Sequence, residues 1–159
     1  MTHRHTELIK IQTFKERQMV TDPRVIKHVQ QDVKINKEYN VPYLAGYSKN
    51  GKTIYVDKHF NSIMKDGTDV MPYLLIHEKI EKALIDIFKL DYQQAHHIAS
   101  HEELVAVKAD GIDHNKYVKF YSGPIQKDEA ERTGESPPDL DLTPYRCEKD
   151  CHRYTGLGI

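Results

Sequence analysis

The segment from Pro72 to Leu90 constrains the fold of this chain more than any other. Tyr73, Ile76, Ile80, Leu84, Ile87 and Phe88 recur at three- and four-residue spacing. At about 100° per residue they form one apolar stripe on a helix, which must be covered by another part of the chain. His77 falls inside that stripe, between Leu84 and Phe88 in projection. Glu81 lies at its margin one turn from His77, and Glu78 lies on the outer side of Glu81. A buried, unpaired charge is costly, so Glu81 at this place requires a cation or a proton. Lys79 and Lys82 point away from the stripe and do not supply it.

A second helix, expected from near Asp91 to about Ala109 and ended by Gly111, repeats the anomaly. Its apolar side carries Tyr92, Ala95, Ile98, Ala99, Val105 and Ala106. His96 and Glu103 are seven residues apart and share a face with Tyr92 and Ala99, and Glu102 points inward near Ala95. His97 and His101 fall on the opposite, polar face and read as solvated. The short connection at Leu90-Asp91 makes the two helices neighbours. Each therefore brings an inward histidine and an inward carboxylate to a shared interface. Zinc accepts such a set of imidazole nitrogens and a carboxylate oxygen, with a fourth place left for water. A buried polar network without metal is the competing reading.

The remainder predicts a small α+β fold. Asp22-Pro23 is a helix start, with the helix running to about Lys34 and Val25, Ile26, Val29 and Val33 on one stripe. Ile9 and Ile11 suggest a strand. Asn50-Gly51 is a tight-turn signal between Leu44–Ser48 and the β-branched, aromatic run Lys52–Asp57, which together read as a hairpin at a sheet edge. Thr68 or Asp69 caps the helix that contains Pro72. Past Gly123 the composition shifts toward Pro and Gly, so 1–122 reads as one domain and 123–159 as an irregular extension with at most a short helix near Lys127–Arg132. At 159 residues with 38% hydrophobic and 30% charged residues, the chain is long enough for one core. A net charge of −1 gives no basic face for nucleic acid. No apolar run reaches the roughly 20 residues a membrane helix needs. The polar start, Met1 to Lys10, lacks the apolar centre of a secretory signal, so a cytoplasmic location is expected. Two cysteines, Cys147 and Cys151, do not make a disulfide framework; with His152 they offer zinc ligands, but reduced thiols near a terminus are the simpler reading.

The string Leu75-Ile76-His77-Glu78-Lys79-Ile80-Glu81-Lys82-Ala83-Leu84 resembles the active-site helix of zincin metallopeptidases, whose motif is His-Glu-x-x-His. Gly51–Asp57 resembles the edge strand that small zincins, including phage-associated and bacterial ones, place before that helix to border the cleft and pair with an extended peptide. The resemblance spans about residues 40 to 108 and departs at Glu81, which stands where the family has its second histidine. It implies a small zincin-like domain with an antiparallel hairpin packed on two main helices. His77, Glu81 and His96 would be the metal ligands, zinc or another divalent first-row ion the cofactor, and Glu78 the general base. Glu103 would orient His96 or complete the ligand set, and Tyr92 or Tyr55 would stabilise an oxyanion. The implied activity is hydrolysis of a peptide bond in a peptide or protein substrate. A carboxylate in place of a histidine makes the site less positive and weakens water activation. That motivates the alternative, a non-catalytic zincin-like module that binds metal and a protein partner. A carboxylate-bridged two-metal site ranks last, because Glu-x-x-His is absent from both helices.

Overall fold

The computed structural model describes residues 13–122 and 135–145. Two short helices come first, α1 (Phe14–Val20) and α2 (Pro23–Gln30), followed by strands β1 (Lys34–Asn36), β2 (Ala45–Tyr47) and β3 (Thr53–Val56). The two long helices α3 (Met71–Phe88) and α4 (Tyr92–Ala109) follow, then α5 (His114–Ser122) and a single 3₁₀ turn at Thr143–Tyr145. The fold is a small α+β arrangement, as the sequence predicts. The Ile9/Ile11 strand, the 127–132 helix and both cysteines fall outside the described residues.

Local chemistry explains most boundaries. Thr13 caps α1 by accepting from Glu16 N–H and donates its hydroxyl to the Glu16 carboxylate. Asp22 caps α2 ahead of Pro23. That helix stops at Gln30 rather than Lys34, because Gln31 turns extended and Lys34–Asn36 leaves to join the sheet. Asp69 Oδ1 accepts from Met71 N–H at the start of α3. Asp91 caps α4 through Gln94 N–H. Between the long helices Lys89 takes a left-handed conformation, φ 56°, which reverses the chain within three residues.

The sheet order is β1-β3-β2, with β1 parallel and β2 antiparallel to β3. The expected hairpin is present, but Thr53–Val56 is the central strand, not an edge. Lys34-Ile35-Asn36 occupies its far side, in register Lys34↔Thr53 to Asn36↔Tyr55. That strand was hidden in the sequence, being three residues long and mostly exposed, with no apolar alternation. The turn is also wider than a two-residue one: Ser48 N–H bonds Thr53 O, and Gly51 supplies the positive φ of 72°.

Two apolar clusters make the core. One joins Ile54 and Val56 of the sheet to Tyr73 and Leu74 of α3, Leu104 and Val107 of α4, and Tyr117 and Tyr121 of α5. The other joins Met19 and Val25 to Ile80, Ala83 and Leu84 of α3 and Ala95, Ile98 and Ala99 of α4. Ala83, Ala95 and Ala99 are fully buried, and their small side chains let α3 and α4 approach closely. His77, on α3, lies between Leu74 of the first cluster and Ile80 of the second; Glu103, on α4, lies between Ala99 and Leu104. The polar residues thus sit at the seam where one cluster gives way to the other. A third, smaller cluster of Val41, Tyr55 and Leu140 lies on the other face of β3 and includes a residue of the C-terminal segment.

Candidate metal centre

His77, Glu81 and His96 converge. His77 Nε2 is 3.1 Å from Glu81 Oε2 and 3.1 Å from His96 Nδ1, and His96 Nδ1 is 3.0 Å from Glu81 Oε2. His77 and Glu81 are buried, and His96 is half-buried. Among the described residues this is the one group of three or more such side chains arranged to hold a metal ion.

The donor set fits a first-row ion. Two atoms each ~2.05 Å from one ion, at an angle between octahedral and tetrahedral, stand roughly 2.9–3.4 Å apart. All three observed separations fall in that interval. Hydrogen bonding decides which nitrogen of His77 is left to face the cluster. His77 Nδ1 lies 2.7 Å from Glu103 Oε1, an atom that can only accept when ionised, so Nδ1 carries the proton. If His77 is neutral, Nε2 then presents a bare lone pair to a carboxylate oxygen and a second imidazole. That meeting requires a proton, on His96 Nδ1 or on His77 Nε2, or a metal ion.

The titration behaviour fits this requirement. Burial opposes charge on His77, but hydrogen bonds and charges from Glu103 and Glu81 outweigh it and hold the imidazole well above its usual value. Burial likewise opposes ionisation of Glu81, and the two histidines override it, bringing the carboxyl down to about 2. Burial pushes His96 below its ordinary value, with the Glu81 hydrogen bond only partly offsetting it, so its ring is neutral and has a lone pair to give. His96 Nε2 is buried and has no hydrogen-bond partner among the described residues.

Glu78 is buried, not on an outer face. Burial and then the Glu81 carboxylate push it well above the usual carboxylate range. Its carboxyl forms no hydrogen bond among the described residues and lines, with Glu81, Tyr47, Lys82, Ile85, Asp141 and Pro144, a cavity of about 20 Å³. That is room for roughly one water molecule.

Three expectations are corrected. Glu103 orients His77, not His96, because α4 places it one cluster further along, opposite the first turns of α3. Its other oxygen, Oε2, accepts from the Tyr117 hydroxyl, which in turn contacts Tyr121 OH at 3.4 Å. Tyr55 points to the opposite sheet face from Ile54 and Val56, into the small third cluster, and donates its hydroxyl to Asp139 Oδ1 at 2.7 Å. It is therefore committed elsewhere. His101 is buried rather than on a polar face, whereas Glu102 is only half-buried and Val105 is 43% exposed. The face of α4 that packs is rotated from the one its sequence suggests. Tyr92 stays at the centre: its ring stacks on His96 at 5.2 Å and its hydroxyl lies 3.3 Å from His96 Nδ1.

Sequence reasoning missed Tyr117, Tyr121 and Tyr47. The first two lie on α5, which was not expected as an element. Its signal was present: Asp113 Oδ1 caps the helix through Lys116 N–H, and Tyr117, Phe120 and Tyr121 follow at helical spacing. Comparison with family models, curated proteins and solved structures finds no match to this chain. None of the described helices is long and apolar enough to cross a membrane.

Proposed function

We propose that the chain binds one divalent first-row metal ion, zinc by the chemistry of its ligands, through His77, Glu81 and His96, and that it hydrolyses peptide bonds with Glu78 as general base. The observation that carries the metal reading is the meeting of three donor atoms at 3.0–3.1 Å while the other nitrogen of His77 is already committed to Glu103. The hydrolytic reading adds the buried Glu78 carboxyl and the water-sized space beside it. A bound ion would supply an acidified water and polarise a carbonyl. The chain's own residues would do the rest. Glu103 holds His77 in the Nδ1–H tautomer, the α3–α4 interface shields the cluster from solvent, and Glu78 takes a proton and returns it to the leaving amine. A nearby dication would also favour the ionised form of Glu78 that this role needs.

The test is metal content of the purified protein and of His77→Ala and His96→Ala. Loss of metal in both supports the site; full retention in both sinks it. Glu78→Gln should keep the metal and lose hydrolysis of a mixed peptide library. A second reading, a non-catalytic metal-binding module, draws on the narrowness of the cavity and on its cover by Asp141 and Pro144. Metal-loaded protein that cleaves nothing in the library would favour it.

A further inference from the structure

Residues 135–145 do not trail away from the body. Lys49 N–H bonds Asp139 O at 2.7 Å and Asp141 N–H bonds Tyr47 O at 2.8 Å, bracketing a bridge between Ser48 and Leu140. This segment pairs through one antiparallel bridge with the outer edge of the β2 end of the sheet, the edge that β3 does not use. Two side-chain contacts fix it. Leu140 is buried against Val41 and Tyr55, and Asp139 accepts the Tyr55 hydroxyl. Beyond Leu140 the segment reaches the border of the candidate metal centre, where Asp141 and Pro144 line the cavity next to Glu78 and Glu81.

We infer that the outer edge of β2 is a docking edge for an extended peptide carrying an acidic residue followed by an aliphatic one, and that this chain occupies it with its own 137–144 segment, closing the site. Main-chain pairing supplies affinity in such strand addition, and the side-chain pockets supply selectivity. Here the aliphatic pocket is formed by Val41 and Tyr55, and the acidic position is read by the Tyr55 hydroxyl. A peptide in place of the segment would follow the same path to the space beside Glu78. The inference deepens the hydrolase reading and rests on it for that last consequence; the docking itself requires no metal.

The experiment uses metal-free full-length protein in which Cys147 and Cys151 are serine, and a fluorescent peptide with the sequence of residues 137–145. Ser48 and Leu140 form a non-hydrogen-bonded antiparallel pair, whose Cα atoms stand about 4.5 Å apart, within disulfide reach. Ser48→Cys with Leu140→Cys therefore makes a reversible lock. Fluorescence anisotropy should show peptide binding to the reduced protein at least tenfold tighter than to the oxidised protein. A Leu140→Asp variant without the lock should bind like the reduced form. A peptide with aspartate at the leucine position should bind at least tenfold more weakly. Equal binding to reduced and oxidised forms, no binding to a reduced form whose circular dichroism is native, or equal binding of the two peptides would overturn the inference. None of these outcomes depends on whether the metal site exists.

Discussion

Replacing Glu103 with glutamine tests how the candidate metal centre is held. Glu103 accepts two donors, His77 Nδ1–H at 2.7 Å and the Tyr117 hydroxyl. Glutamine has one carbonyl oxygen, so one donor must face its amide N–H₂. If the oxygen stays with Tyr117, a neutral His77 keeps its one proton on Nε2, the nitrogen that faces Glu81 and His96. Metal binding then requires the reverse tautomer without its charged acceptor. A buried hydrogen bond to a charged group contributes roughly 1.5–3 kcal/mol. At about 1.36 kcal/mol per decade, that is a loss of roughly 10- to 150-fold in metal affinity, the range found when partners of ligating histidines are removed. The assay is competition for zinc against a chromophoric chelator at pH 7.5. Nitrogen-15 NMR of the imidazoles reads the tautomer. Tyr117→Phe is the companion variant: it keeps the carboxylate on His77 and should cost several-fold less. Zinc affinity in Glu103→Gln within twofold of the native protein, with the fold intact, would refute the assignment of Glu103 to His77.

Three other outcomes are expected. Metal binding should release a proton, because the metal-free cluster holds His77 protonated well above its usual value; zinc affinity should therefore rise with pH, by up to about tenfold per unit while His77 is still charged, and calorimetry in buffers of different ionisation enthalpy would count the proton. In the metal-free protein the depressed Glu81 value makes stability depend on pH: its stabilisation is present above the unfolded value of 4.5 and lost as pH falls toward about 2, which acid titration by circular dichroism should show and Glu81→Gln should flatten. Lys89→Gly should raise the melting temperature by a few degrees, since a left-handed residue at φ 56° costs a non-glycine side chain about 1 kcal/mol; an unchanged or lower midpoint would show that the conformation carries no such cost.

The legible part of the structure was the part written in helical periodicity. The stripe from Tyr73 to Phe88 fixed which side of α3 is covered, and the two polar intruders on it were found where projection put them. His96 followed from the same arithmetic. The arithmetic weakens on α4, where the covered face mixes Ile98, Leu104 and Val107 with alanines, a serine and a histidine. Ala95, Ser100 and His101 are all buried, so hydrophobicity alone could not orient the helix, and the partner of Glu103 was assigned to the wrong imidazole. The sheet failed for another reason. Its strands are three and four residues long, and β1 is mostly exposed, so pairing with β3 and not sequence pattern defines it. The segment beside the centre pairs with β2 through main-chain hydrogen bonds, which leave no trace in side-chain identity, and its Leu140 and Asp139 contacts are with residues far away in sequence.

The three proposed ligands come from two consecutive helices joined by only Lys89, Leu90 and Asp91. Most of what brings them together is therefore local in sequence, and docking α3 on α4 assembles the cluster without waiting for the sheet or for α5. Contacts of short sequence separation form early, because little chain entropy is lost in closing them. An ion bound there would act on the folding transition state as well as on the native state. Saturating metal should accelerate refolding and not merely slow unfolding. The helical hairpin would then be the nucleus, and its cation a kinetic cofactor of folding before it is a chemical one.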